Sequence, residues 1–318
     1  MHQGYDLIGD IHGCGNTLIE LLEQMGYSKR NGVYQHAKRK AVFVGDIVDR
    51  GPNIRQSCHI VRDMVDGGHA DMVMGNHEYN LVTYLTEAPP GLRQPYLRPH
   101  TPRNNFIIEQ TIKQFEDHPH EFNEFLNWFL EQPLFREYEH FRVIHACWDQ
   151  GMVDEYLRRY GTNKITRDML PESVNPDSFL YRFLDRSLRG TSLKLPDGRS
   201  MTAKDGMVRQ FFRTKFWEKQ PEKYGDVVFQ PDPLPDDIEH ALLSPEEKDQ
   251  LLFYSPTEKP LFIGHYWMQG IPSPIRPNIA CLDYSAVKYG RLVAYRMDNE
   301  RTLQPGKFTW VRVEKHER

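Results

Sequence analysis

The chain has 318 residues, of which 39% are hydrophobic and 26% charged; this ordinary globular composition excludes a fibrous or wholly disordered protein. Its 40 Lys and Arg against 44 Asp and Glu give a net charge of −4, so no general basic field gathers nucleic acid. Nucleic acid is not excluded as a substrate, but a local patch would have to hold it.

Five short apolar runs, residues 5–8, 41–44, 72–74, 141–144 and 261–263, are too short for helices and rich in Val, Ile, Leu or Phe, as buried strands are. Two helices are expected between the first three. Leu18, Leu21, Leu22 and Met25 share a face ahead of Gly26, and Ile54, Cys58, Val61 and Val65 share one ahead of Gly67-Gly68. The first 80 residues therefore read as strand–helix–strand–helix–strand, an α/β unit.

Two stretches break this rhythm. Residues 83–138 are rich in Pro, His and aromatics, and their later part (Phe122, Phe125, Leu126, Phe129, Leu130) has helical spacing. Residues 161–259 are polar, with a turn at Pro196-Asp197-Gly198 and an acidic loop over 231–239. Both are read as insertions covering the active site of one domain spanning 1–318. Strand patterns return at 279–284, 292–295 and 308–313. No stretch of about 18 apolar residues could span a membrane. The N-terminus lacks the pattern of a secretory leader. Cys14, Cys58, Cys147 and Cys281 show no paired spacing, so a disulfide framework or zinc knuckle is not expected, and a reducing cytoplasm is the expected location.

Each of the five expected strands is followed by a potential metal ligand: Asp10, Asp46, Asn76, His145 and His265. Gly9, Gly45, Gly75 and Gly264 directly precede four of them. Strand ends are where α/β sheets gather functional groups. Two divalent ions clamping a phosphate and activating a water need a bridging carboxylate with oxygen and nitrogen ligands around it. An Asp-Asn-His set without thiolate suits manganese, iron or zinc.

Gly9-Asp10-Ile11-His12-Gly13, Gly45-Asp46-Ile47-Val48-Asp49-Arg50-Gly51 and Gly75-Asn76-His77-Glu78, followed by His145 and Gly264-His265, closely resemble the calcineurin-like metallophosphoesterase superfamily. The first three motifs are similar to its phosphoprotein phosphatase-type branch. The resemblance implies a four-layer α-β-β-α sandwich with a helical insertion. It also implies a dinuclear centre, with Asp10, His12 and Asp46 on one metal and Asp46, Asn76, His145 and His265 on the other, and phosphomonoester hydrolysis by hydroxide held between the two ions. His77 would then act as general acid with Asp49 accepting its hydrogen bond, and Arg50 would bind phosphate.

Relatives place a second phosphate-binding arginine between the last two histidine ligands, an interval in which Arg213, Arg209 and the turn Lys204-Asp205-Gly206 fall. Arg209 would share a face with Arg213 if that segment were helical. Trp267 stands where many relatives carry a further histidine ligand, so the first metal is expected to have three protein ligands. Ala146-Cys147-Trp148 replaces the usual glycines after His145, which argues against a wide, protein-sized groove. The expected partner is a phosphorylated substrate: a phosphoprotein, a nucleotide or a small phosphomonoester. The alternative is a symmetrical dinucleoside polyphosphate hydrolase. A non-catalytic scaffold is disfavoured, because every ligand position is intact.

Overall fold

A computed structural model of the chain describes residues 3–202, 208–229 and 234–314. Its architecture is α/β, with two packed sheets. The first sheet contains β1 (Gly4–Ile8), β2 (Arg39–Phe43) and β3 (Ala70–Met72). The second contains β4 (Phe135–Glu137), β5 (Arg142–Ile144), β6 (Leu261–Ile263) and β7 (Ile279–Cys281). The chain then returns to the first sheet with β8 (Asp283–Tyr284), β9 (Arg291–Met297) and β10 (Phe308–Arg312).

Alternation along the strands builds the layers. Leu7 and Val42 of the first sheet pack with Val143, Phe262 and Ala280 of the second in one apolar cluster. Their neighbours Ile8, Ala41, Phe43, Ile144, Leu261, Ile263, Ile279 and Cys281 point the opposite way, into a cluster shared with helices. Those helices include α1 (Gly15–Gln24) and α2 (Ile54–Asp66). Because both faces of each sheet are covered, these strands read as continuous apolar runs rather than alternating ones.

The parallel pairings β1·β2, β2·β3, β5·β6 and β6·β7 carry the strand ends toward one edge of the sandwich. Between β7 and β8 only Leu282 intervenes; its N–H donates to Ile263 O at 2.8 Å, and its side chain lies between the sheets. The chain thus crosses from one sheet to the other in a single residue and sets Asp283 beside the ends of both.

The strand expected at 72–74 runs instead over Ala70–Met72. Met74 N–H has already left the ladder to donate to Pro133 O at 2.8 Å. The expected strand at 279–284 is two strands in different sheets. Helix α3 (Asn76–Leu85) starts at the third motif. Residues 83–138 also hold α4 (Pro102–Phe115), which the sequence reading did not anticipate, and α5 (Pro119–Leu130). The amphipathic α6 (Gln150–Tyr160) directly precedes the polar stretch 161–259, which holds α7 (Phe179–Arg189), whose Leu180, Phe183, Leu184 and Leu188 are buried at three- and four-residue spacing. Residues 208–214 are extended rather than helical: Phe211–Thr214 pairs antiparallel with Thr191–Lys194. The turn Lys204-Asp205-Gly206 and residues 231–233 of the acidic loop lie outside the described residues.

Candidate dinuclear metal centre

The site is assembled around a carboxylate that is not itself a candidate ligand. Glu78, fully buried in the first turn of α3, accepts through Oε2 from Gly75 N and Asp46 N, both at 2.9 Å. Through Oε1 it accepts from Ile47 N at 2.7 Å and Val48 N at 3.2 Å. Four otherwise orphaned N–H groups are thereby satisfied by one side chain. The loop so held is strained: Asp46, Asp49 and Arg50 have φ of 53°, 71° and 71°, in the left-handed region that non-glycine residues avoid. Asp46 O in turn accepts from Ile11 N at 3.1 Å and His12 N at 2.9 Å, stitching the first motif to the second. Gly75 is required here, since a Cβ would lie 2.3 Å from Asp46 Oδ1 and 2.8 Å from Glu78 Oε2.

Among the described residues, two groups of side chains converge closely enough to hold a cation, and Asp46 belongs to both. One is His12, Asp46 and His77; the other is Asp46, His145 and His265. Asp46 Oδ2 lies 3.3 Å from His145 Nε2, 3.6 Å from His12 Nε2 and 4.0 Å from His77 Nε2. Backbone carbonyls orient two of the rings: His145 Nδ1 donates to Val44 O at 2.7 Å and His12 Nδ1 to Val48 O at 2.9 Å, leaving each Nε2 facing the cluster. The Asn76 side-chain atom turned toward the rings lies 2.7 Å from His265 Nδ1 and 3.1 Å from His145 Nε2. An amide nitrogen in that position donates to the rings, whereas the amide oxygen in the same position is a metal ligand.

The donors fit a divalent cation. Asp10 Oδ1 is buried with no hydrogen-bond partner, and so is His265 Nε2. A buried carboxylate oxygen without a donor is unfavourable unless a cation supplies the missing interaction. Gly264 leaves room for it, because a Cβ there would lie 2.0 Å from Asp10 Oδ1. The other Asp10 oxygen accepts from His265 N at 3.1 Å.

The local field differs from one candidate ligand to the next. Burial, and then the neighbouring Arg50, hold His12 well below the usual imidazole range; burial and Arg213 do the same for His265, and both shifts favour the neutral ring that metal binding needs. Burial would raise the Asp46 carboxyl, but His145 and His77 outweigh it and keep Asp46 charged. Burial would likewise lower His145, yet Asp46 pushes it up to about 10. Burial and the nearby Asp283 raise Asp10.

His77 is tied to the second motif. Its Nδ1 lies 2.6 Å from Asp49 Oδ2, and its Nε2 lies 3.3 Å from Arg50 Nη2. Asp49 is fully buried, and its other oxygen accepts from Thr111 Oγ1 of α4 at 2.5 Å. Arg50 is exposed at the mouth. Arg213 lies next to the second group: its Nη1 donates to His265 O at 3.2 Å and its guanidinium sits 5.3 Å from the centre of the Tyr266 ring. Arg209 lies on the short strand Val208–Arg209, beyond a break at Gln210.

Three contributors escaped the sequence reading. The sequence marks Glu78 only as a feature of its motif, because its bonding to the second motif spans 30 to 32 residues of chain. Asp283 is buried beside Asp10 and follows a strand as the ligands do, but no glycine precedes it. Thr111 sits in an unforeseen helix and carries no local signal.

Comparison with known proteins matches residues 6–256 to the calcineurin-like phosphoesterase family. The chain is similar to the asymmetrical bis(5'-nucleosyl)-tetraphosphatase PrpE of Halalkalibacterium halodurans, with 28% identity over 176 residues, 54% of this chain and 68% of that one. The corresponding protein of Oceanobacillus iheyensis is 48% identical over 73 residues, 23% of this chain and 29% of the relative, so the match spans under a third of that relative. A cold-active protein-tyrosine phosphatase of a psychrophilic Shewanella shares the fold at a TM-score of 0.50 and 15% identity, over 96% of this chain and 81% of that one.

Removing the central carboxylate tests the assembly. Glu78→Ala should destabilise the protein by roughly 3 kcal/mol or more, since each buried N–H left unpaired costs about 1–3 kcal/mol. Thermal unfolding of this variant at the wild-type temperature would show that Glu78 does not hold the loop.

Proposed function

The chain belongs to the calcineurin-like phosphoesterase family and is a metal-dependent hydrolase of phosphoric esters; on that premise we propose that it hydrolyses phosphomonoesters at a centre of two divalent ions, manganese foremost. The observation that carries this reading is Asp46, the one carboxylate common to both convergent groups. Asp10, His12 and Asp46 would hold one ion, and Asp46, Asn76, His145 and His265 the other. Iron or zinc fits the same donors. When bound, the ions supply an activated water and neutralise charge on the phosphate.

The remaining steps fall to the chain's own side chains. Arg50 offers a planar fork to two phosphate oxygens. His77 Nε2, beside it, delivers a proton to the leaving oxygen, and the Asp49 bond at Nδ1 holds the ring in the donating orientation. Thr111 keeps Asp49 in place. Arg213 and Arg209 rank second as phosphate contacts, Arg213 because its guanidinium already binds the backbone of the His265 loop. Residues 83–138 and 161–259 are proposed as insertions framing the site in one domain of 1–318. Among the described residues no helix is long and apolar enough to cross a membrane. Four free, buried cysteines suit a cytoplasmic location.

A second reading, hydrolysis of dinucleoside polyphosphates, is favoured by the similarity to bis(5'-nucleosyl)-tetraphosphatases, which are asymmetrical rather than symmetrical enzymes. A panel of nitrophenyl phosphate, a phosphoserine peptide and diadenosine tetraphosphate with manganese separates the two. Monoester turnover supports the first reading. Cleavage of the dinucleotide alone, into ATP and AMP, would replace it with the second.

His77→Ala should lower kcat for alkyl phosphates by about 10²- to 10⁴-fold, the usual range for a general acid, with metal content retained. The loss should shrink for nitrophenyl phosphate, whose leaving group hardly needs a proton. Metal lost together with activity would instead make His77 a ligand of the group it shares with His12 and Asp46.

A further inference from the structure

A recess of about 800 Å³ opens beside Arg50, the residue that also touches His77. Its volume is in the range of small-molecule pockets, roughly 300–1,000 Å³. Arg103, Phe106, Ile107 and Gln110 of α4 form one wall, and Lys288 stands across from them. Phe106 is 77% exposed, the most exposed large hydrophobic side chain among the described residues, while Ile108, Thr111 and Phe115 of the same helix are buried. An aromatic ring left in water beside a catalytic centre calls for an explanation that a core position does not.

The helix that presents this ring is anchored to the catalytic loop. Thr111 Oγ1 donates to Asp49, Gln114 Nε2 donates to Gly51 O at 3.0 Å, and Gln114 Oε1 accepts from Ile54 N at 2.7 Å. The position of Phe106 is therefore set relative to the His77–Asp49 pair. Lys288 is placed independently, 5.9 Å from the centre of the Trp267 ring, on the loop that follows β8.

The lining combines three cations, Arg50, Arg103 and Lys288, with one carboxylate, Glu109, and an exposed aromatic face. An inorganic phosphate would use the cations and leave the ring idle. An apolar protein partner would use the ring and leave three cations to be desolvated. A nucleoside bearing a phosphate chain uses both, the base stacking on Phe106 and the phosphates running past Arg103 and Lys288 to Arg50. Gln110 and Glu109 add hydrogen-bonding groups to the same lining, Glu109 as an acceptor suited to an exocyclic amine.

We propose that this recess is a subsite for the nucleoside end of a nucleotide substrate, with Phe106 as its base-stacking platform. The proposal rests on the reading of the neighbouring centre as a phosphohydrolase, because that reading sets the reacting phosphate at Arg50.

The test is a calorimetric titration of the manganese-loaded protein with adenosine 5′-(β,γ-methylene)triphosphate and, separately, with inorganic tripolyphosphate. The nucleotide analogue should bind more tightly. Phe106→Ala should weaken it about tenfold, as loss of a base–aromatic stack does, while tripolyphosphate affinity and kcat on nitrophenyl phosphate stay unchanged. Phe106→Trp should restore the preference. Equal affinity of the wild-type protein for the two probes, or equal weakening of both by Phe106→Ala, would overturn the proposal. Absence of turnover of both nitrophenyl phosphate and diadenosine tetraphosphate would strike at the phosphohydrolase reading instead, since the titration reads binding without turnover.

Discussion

Four backbone N–H groups converge on the buried carboxylate of Glu78, and the geometry of the site follows from that convergence. The loop after β2 carries three non-glycine residues in left-handed conformation, which a free loop would relax. Bonded to Glu78, it cannot, and Asp46 is held where its carboxylate faces both groups of ligands. Because Glu78 also caps the start of α3, the same interaction fixes Asn76 and His77 relative to Asp46. His77 N completes the lock by donating to Asp46 Oδ1 at 2.9 Å.

Charge is distributed unevenly across the cluster. Asp46 is held low chiefly by His145, which it raises in turn, while burial lowers His12 and His265 on either side. His77 is oriented by its short bond to Asp49, with its other ring nitrogen 4.0 Å from Asp46 Oδ2. That bond depends on Thr111, a residue of the same helix that presents Phe106. One helix thus connects the outer recess to the orientation of His77.

The strands and the side chains gathered at their ends were legible in the sequence because they obey local rules. Buried parallel strands give short apolar runs, and sharp turns at their ends need glycine, as at Gly75 and Gly264, where a Cβ would strike a carboxylate. The order of motifs also carried the family resemblance. What escaped depends on contacts between distant parts of the chain. Helix α7 hid because its exposed face is charged, so mean polarity masked the spacing of Leu180, Phe183, Leu184 and Leu188. The crossing at Leu282 reads as one continuous strand, since a residue buried between sheets looks like any other strand residue. Thr111 and Asp283 act through partners far away in sequence, and nothing in their own neighbourhoods marks them.

The account stands on Asp46 being shared by two ions, and electron paramagnetic resonance of the manganese-loaded protein tests this directly. Two manganese ions per chain joined by one carboxylate should give the spin-coupled signal of a dinuclear pair. A single ion per chain, or two with the uncoupled six-line spectrum of isolated manganese, would contradict it.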